Sequence, residues 1–456
     1  MSRASPHLRS SDKRSSQTVD HRLKRRHIYH LTGYDPIDCD AQYRRFARQL
    51  QQFERTWPAR AIISEIARSS EQCRAWWTVQ AHGADWQVEA VHELLLWGDI
   101  VRADLARPLP LRLGRAALAY FDFIATGTLF RYFRANWRFA LFALFPALLL
   151  SLFAAVACFL ARMVVGCCGL AGPQELMLGM TLAVAVFFAL LQWPGRRWRA
   201  QHTLELWTVA HDYVYGRRKD IEARLDRFAE LIVTRARKAQ VDEIVLVGHS
   251  MGAMLALDLI DRALLKDPQL GRRGTAVCVL TVGAIIPKFA LHPAASSLRR
   301  RIARVVAEPS IAWAEVQSRI DPMSFYTFDP ATLTRSGERL SGKPVIRQVE
   351  MEQMLTPESY ARYRLDYMRL HYQPVMASEK RAPYDYFMMM CGPALFRSWT
   401  VSPRGLLDFL GADSSPAGTY TQLSCCRPHA SPPGWSAPGS GTHRVDTGSQ
   451  VPLAIC

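Results

Sequence analysis

The chain has 456 residues with 57 Lys or Arg against 40 Asp or Glu, a formal net charge of +17. Its 49% hydrophobic content and 12 tryptophans exclude a largely disordered chain, and 26 Gly with 26 Pro exclude a collagen-like one. Ten cysteines with no CxxC spacing exclude a disulfide-stapled scaffold, a zinc ribbon and a thioredoxin-type motif; the adjacent pairs Cys167-Cys168 and Cys425-Cys426 read as buried or lipid-adjacent thiols.

Residues 1–26 carry eight Lys or Arg, two Asp and no apolar core, which reads as a basic, solvated tail and not a secretory signal. Residues 27–136 form a first folded segment. Arg26 to Leu31 is strand-like and closes on the turn cluster Thr32-Gly33-Tyr34-Asp35-Pro36, and residues 41–57 repeat apolar positions at helical spacing. Trp76 to Ala81 and Trp86 to Val91 predict two further strands, and the basic, aromatic stretch 100–136 predicts interfacial helices.

The composition then changes abruptly. From Phe139 to Trp193 the only charges are Arg162 and Glu175. Phe139 to Ala161 and Leu176 to Trp193 would be about 34 and about 27 Å long as helices, against a hydrocarbon thickness of ~30 Å. Neither has the polar stripe of a soluble core helix. Residues 137–195 are therefore expected to form a transmembrane hairpin in an inner or plasma membrane, with the lipid bilayer as a partner. Arg131, Arg134 and Arg138 before it and Arg196, Arg197 and Arg199 after it place both flanks, both termini and the folded body in the cytoplasm.

Residues 196–400 resume a soluble pattern. Helical stretches run to Tyr213 and from Lys219 to Gln240, and compact strands are expected at Glu243 to Val247, Thr275 to Val282 and Ile311 to Gln317. Strands separated by helices predict an α/β fold with a mostly parallel sheet, interrupted by the two membrane helices. Residues 401–456 read as a tail; 19 of the last 46 positions are Gly, Pro or Ser.

Directly after the strand EIVLV comes Gly248-His249-Ser250-Met251-Gly252, followed by the helix-forming run AMLALDLIDRALL. Small residues around the serine permit a tight strand-to-helix turn that holds Ser250 strained and exposed, with the amide of Met251 at a helix N-terminus. Through EIVLVGHSMGAMLAL the chain resembles the α/β-hydrolase family, over roughly residues 26–94 and 200–375. That resemblance implies a nucleophilic Ser250, an acid after a late strand and a histidine near the end of the domain. Asp321 fits the acid, although an Asx turn before Pro322 also explains it, and Asp329, Glu315, Asp366 and Asp385 compete. His371 fits the order Ser, acid, His, with a packing histidine as its alternative; His292 comes too early. His249 is expected to pack against the sheet top. Met251 and Tyr34, the latter beside Gly33, are the expected oxyanion amides, with a plain glycine turn equally open at Gly33.

The resulting expectation is a membrane-anchored serine hydrolase of the esterase or lipase type. It would cleave a small carboxylic ester or thioester, or a lipid, through an acyl-enzyme, without a cofactor or metal. The alternative is a catalytically silent α/β-hydrolase-fold scaffold on the membrane. No recognition motif accompanies the basic residues, so a specific nucleic-acid partner is not expected.

Overall fold

A computed structural model describes residues 23–169, 171–333 and 343–409. Nine strands form one sheet: β1 (Arg25–Leu31), β2 (Arg60–Ile63), β3 (Ala67–Ser69), β4 (Arg74–His82), β5 (Gln87–Leu95), β6 (Glu243–His249), β7 (Ala276–Val282), β8 (Ile311–Gln317) and β9 (Val345–Gln348). Their order is β2-β4-β5-β1-β6-β7-β8-β9, with β3 also on β4. From β5 to β9 every neighbouring pair is parallel, while β2, β3 and β5 meet β4 antiparallel. The α/β class and the parallel centre agree with the sequence reading. The short edge strands β2, β3 and β9 are additions, because three or four residues carry too little alternation to register.

Strand β6 shows why the centre was legible. All seven of its residues are buried. Ile244 and Leu246 enter one apolar layer, whereas Val245 and Val247 enter the other, the period of two that a strand covered on both faces must have. The first helix, α1 (Cys39–Thr56), lies on the second face. Three helices follow β5: α2 (Gly98–Leu105), α3 (Leu109–Ala125) and α4 (Thr128–Ala135). Phe123 and Tyr132 are buried in the first layer, while Leu118, Phe121, Ile124 and Phe130 stay exposed.

Next come the two apolar helices, α5 (Trp137–Cys167) and α6 (Pro173–Gln192), both long and apolar enough to cross a membrane by length and composition. A buried stripe on α5 that includes Leu149, Phe153, Ala157 and Ala161 recurs every three or four residues. Leu148, Leu152, Phe159 and Met163 on the same helix are exposed, and Cys167 and Cys168 at its end are exposed thiols. A single turn, α7 (Pro194–Arg197), leads to α8 (Ala200–Val214) and α9 (Lys219–Arg237), which return to the first face. After β6 the chain forms α10 (Met251–Lys266); α11 (Ile286–Ala290) and α12 (Ser296–Ala307) follow β7.

Beyond β9, three short helices, α13 (Met351–Met354), α14 (Pro357–Tyr363) and α15 (Tyr367–Tyr372), run toward the sheet's carboxyl end. The chain then covers the second face through α16 (Tyr386–Cys391) and α17 (Phe396–Val401). Arg26, fully buried, pairs with Glu243 at 2.7 Å and donates to the carbonyls of Met389, Gly392 and Ala394. A buried guanidinium needs that many acceptors, so this clamp ties the C-terminal segment to the central strands. The packed chain continues past the expected boundary at 400, since Leu406 is fully buried. The rest of the expected C-terminal tail from residue 410, Cys425-Cys426 included, and residues 1–22 of the basic tail lie outside the described residues.

Candidate active site

The sheet's connectivity selects the place where a site can form. From β1 the chain moves to one side, building β2 to β5, and then returns past β1 to place β6, β7, β8 and β9 on the other side. The carboxyl ends of β1 and β6 therefore border a crevice, because their connections leave in opposite directions. The loop Thr32–Asp35 and the turn at Ser250 emerge there.

Ser250 has φ +57° and ψ −119°, a conformation that costs an L-residue about 1–3 kcal/mol. Its neighbours enforce it. A Cβ on Gly252 would stand 2.2 Å from the carbonyl oxygen of Leu31, and one on Gly248 would stand 2.5 Å from that of Gly252. Only glycines let the turn press this closely on the end of β1. The Ser250 N–H donates to Val282 at 2.9 Å, which ties the turn to β7 as well. Met251 is the first residue of α10, so its N–H has no carbonyl within the helix.

Gly33 lies against the serine: a Cβ there would sit 3.1 Å from Ser250 Cβ and 3.5 Å from Oγ. Its contact makes Gly33 more than a plain turn glycine. The adjacent Tyr34 directs its phenol away, donating to Asp104 at 3.1 Å, and its ring packs beside Trp97 and His202. Among the described residues the Tyr34 backbone N–H has no acceptor.

Asp321 stands on the turn after β8 and is buried. Its Oδ1 accepts from the Met323 N–H at 2.9 Å, while Oδ2 lies 2.7 Å from Nδ1 of His371. The Asx turn is present, and by holding Oδ1 it aims the second oxygen at the imidazole. His371 is on α15, and its Nδ1 is committed to Asp321. Ser250 and His371 line the same cavity, about 1220 Å³, although no hydrogen bond joins Oγ to the ring.

Of the residues that hold this arrangement, His249 was expected to pack at the sheet top, whereas Tyr372 and Gly283 were not distinguished in the sequence. Nε2 of His249 donates to the carbonyl of His371 at 3.0 Å, and its ring packs on His371 and Tyr372. Burial and the neighbouring His371 hold the His249 pKa well below the usual histidine range, which keeps it a neutral donor. The Tyr372 hydroxyl donates to Asp35 at 2.8 Å, latching α15 to the loop after β1. Gly283, with φ +54°, follows β7; a Cβ on it would meet His371 Cε1 at 3.0 Å. Asp35 was visible within the turn cluster TGYDP and Tyr372 adjoins His371, but nothing local in the sequence pairs them.

The competing groups have other employment. Glu315 is inside β8, accepting from Thr281 at 3.2 Å and Gln317 at 2.8 Å, with burial pushing its carboxyl up to about 8. Asp366 and Asp385 cap α15 and α16 through the N–H groups of Arg369 and Met388, and Asp329 accepts from the Ala331 N–H. His292 pairs with Asp122 at 2.8 Å away from the cavity. Among the described residues no group of three or more His, Cys, Asp or Glu is arranged to hold a metal ion.

The cavity has a mixed wall. Phe139, Leu141, Phe142 and Phe145 at the start of α5 form an apolar side with Leu206 and Trp207. Arg138, Arg197, Arg199, Arg319 and Arg362 stand around it, and Lys288 of α11 lines it from within. The crevice beside Ser250 is thus built partly from the first turns of an apolar helix. Comparison with protein-family models, with characterised proteins and with solved structures finds no match to this chain.

Proposed function

We propose that this protein is a serine hydrolase of α/β-hydrolase type, held at a membrane by the α5–α6 hairpin and acting on acyl esters or thioesters. The observation that carries this reading is the convergence of a strained Ser250 and a buried Asp321–His371 pair on one cavity. With Nδ1 engaged by Asp321, Nε2 is the ring nitrogen left to take the Ser250 proton. Oγ would attack the acyl carbon, and the N–H groups of Met251 and Tyr34 would receive the oxyanion. The carbonyl–oxygen or carbonyl–sulfur bond then breaks, with the proton passing from His371 to the leaving group. Water, deprotonated by the same imidazole, releases the acid and restores Ser250. Transfer of the proton requires Oγ and Nε2 to come within hydrogen-bond reach, about 2.6–3.2 Å, in the substrate complex.

The membrane part rests on exposure. Core helices of a soluble protein are mostly buried, whereas only 6% of the most apolar window of α6 and 33% of that of α5 is buried. Large apolar side chains left uncovered along both helices fit contact with acyl chains, and the flanking arginines fit a cytoplasmic body. Because Phe139 to Phe145 also line the cavity, its mouth would open at the bilayer surface, which favours a lipidic substrate.

The missing Ser250–His371 hydrogen bond supports the second reading, a catalytically silent scaffold. A fluorophosphonate probe on the full chain in membranes separates the two. Labelling that disappears in Ser250→Ala supports the hydrolase, and a folded wild type that never labels leaves the scaffold.

A further inference from the structure

Lys288 has no role in the chemistry above, and its surroundings are unusual for a lysine. It is only 3% exposed, its Nζ lies 4.5 Å over the Trp207 ring, and among the described residues no hydrogen bond or ion pair reaches that nitrogen. The carboxylates nearest along α8 have other partners: Glu205 pairs with Arg112 and Asp212 with Arg115. An ammonium group withdrawn from water without a counter-charge is costly, and burial alone drives its pKa down to about 7. Tyr132 donates to the Lys288 carbonyl, which fixes the short helix α11 that carries it. The side chain lines the Ser250 cavity, so an anion placed there would supply the missing partner.

The lining of the cavity points to the kind of anion. Its apolar wall belongs to Leu141, Phe142 and Phe145 of α5, and Ser250 and Lys288 belong to the sheet end and α11. In a glycerolipid the ester carbonyl lies between the hydrocarbon chain and the headgroup. A chain kept along α5 would bring the ester to Ser250 and carry the headgroup inward. We propose that the cavity accepts an acyl ester with an anionic, phosphate-type headgroup, drawn from the bilayer, and that Lys288 binds that headgroup. This rests on the hydrolase reading for the fate of the ester, which with water gives a fatty acid and the headgroup alcohol, but not for binding. The arginines at the rim raise the local concentration of anionic lipid without selecting the bound one.

The test is binding of two ether lipids, which hydrolysis cannot touch, to the full chain in a neutral detergent: 1-O-alkylglycerol 3-phosphate and the matching 1-O-alkylglycerol. The phosphate form should bind at least about tenfold tighter, in line with a charge-assisted contact in a desolvated site. That advantage should be lost in Lys288→Met and in Lys288→Gln, two uncharged variants of similar length, with circular dichroism confirming the fold of each. Equal binding of the two lipids overturns the proposal. So does a preference that survives both Lys288 variants, or one that vanishes only in Arg197→Gln/Arg199→Gln. A folded wild type that never takes up the fluorophosphonate would instead remove the hydrolase reading and leave the binding result standing.

Discussion

Two of the Asp–His pairs among the described residues are nearly equal in length, one made through Nδ1 and the other through Nε2. Asp321 and His371 meet at 2.7 Å beneath the sheet's carboxyl end, and Asp122 and His292 meet at 2.8 Å in the helical layer between α3 and α11. Only the first shares a cavity with a serine in a strained turn. Around the second stand Thr126 at 3.4 Å and the Tyr215 hydroxyl, which donates to Asp122 at 3.0 Å, so the pair closes a polar network under Phe123. An aspartate beside an imidazole is therefore no signature by itself. What separates the two is the second ring nitrogen: Nδ1 of His292 accepts from the Ala294 N–H, whereas the His371 ring lines a cavity shared with Ser250.

The comparison breaks most sharply at the serine. Ser250→Ala should lower ester turnover by about 10⁴-fold or more with an unchanged melting temperature, measured by fatty-acid release and circular dichroism. His371→Ala and Asp321→Asn should each cost about 10³- to 10⁴-fold in kcat. Equivalent changes in the other pair, His292→Ala and Asp122→Asn, should leave kcat/KM within about threefold and instead lose about 1–2 kcal/mol of stability, read from denaturant unfolding. Equal losses of turnover in both pairs would abolish the distinction.

Gly283→Ala sharpens it further, because the added methyl presses on His371 and the residue must hold φ +54°. A drop in kcat of roughly tenfold to a hundredfold is expected, with KM little changed, since the imidazole is displaced and the cavity is not. The smallest effect concerns the buried cation near the first site. Lys288→Met should raise Tm by roughly 5 °C at neutral pH. The sign follows from a folded pKa of about 7 below an unfolded value near 10.4: the penalty of the charged lysine is complete below pH 7 and fades as pH rises toward 10. The gain should shrink accordingly across that window in thermal melts.

Much of this was legible along the chain because it depends on local pattern. Strand β8 was expected at its observed limits, Ile311–Gln317, from a mostly apolar run of the kind a doubly covered strand requires. The glycines around Ser250 announced a turn whose tightness the contacts with Leu31 explain. The edge strands and the packed segment through Leu406 escaped notice for the opposite reason: their stability comes from partners distant in sequence, such as the Arg26 clamp.

The sequence by itself determined the α/β class, the two apolar helices and the strand–turn–helix around Ser250, because each follows from residue periodicity, composition or the absence of a Cβ. Only the tertiary structure decided that Asp321 and not Glu315 meets His371, that Asp35 and Tyr372 latch the two loops, and that Lys288 is buried over the Trp207 ring with no ion pair among the described residues. Those relations join residues 50 to more than 300 positions apart, and no local preference encodes them. They exist where the sheet's order brings the ends of β1, β6, β7 and β8 side by side.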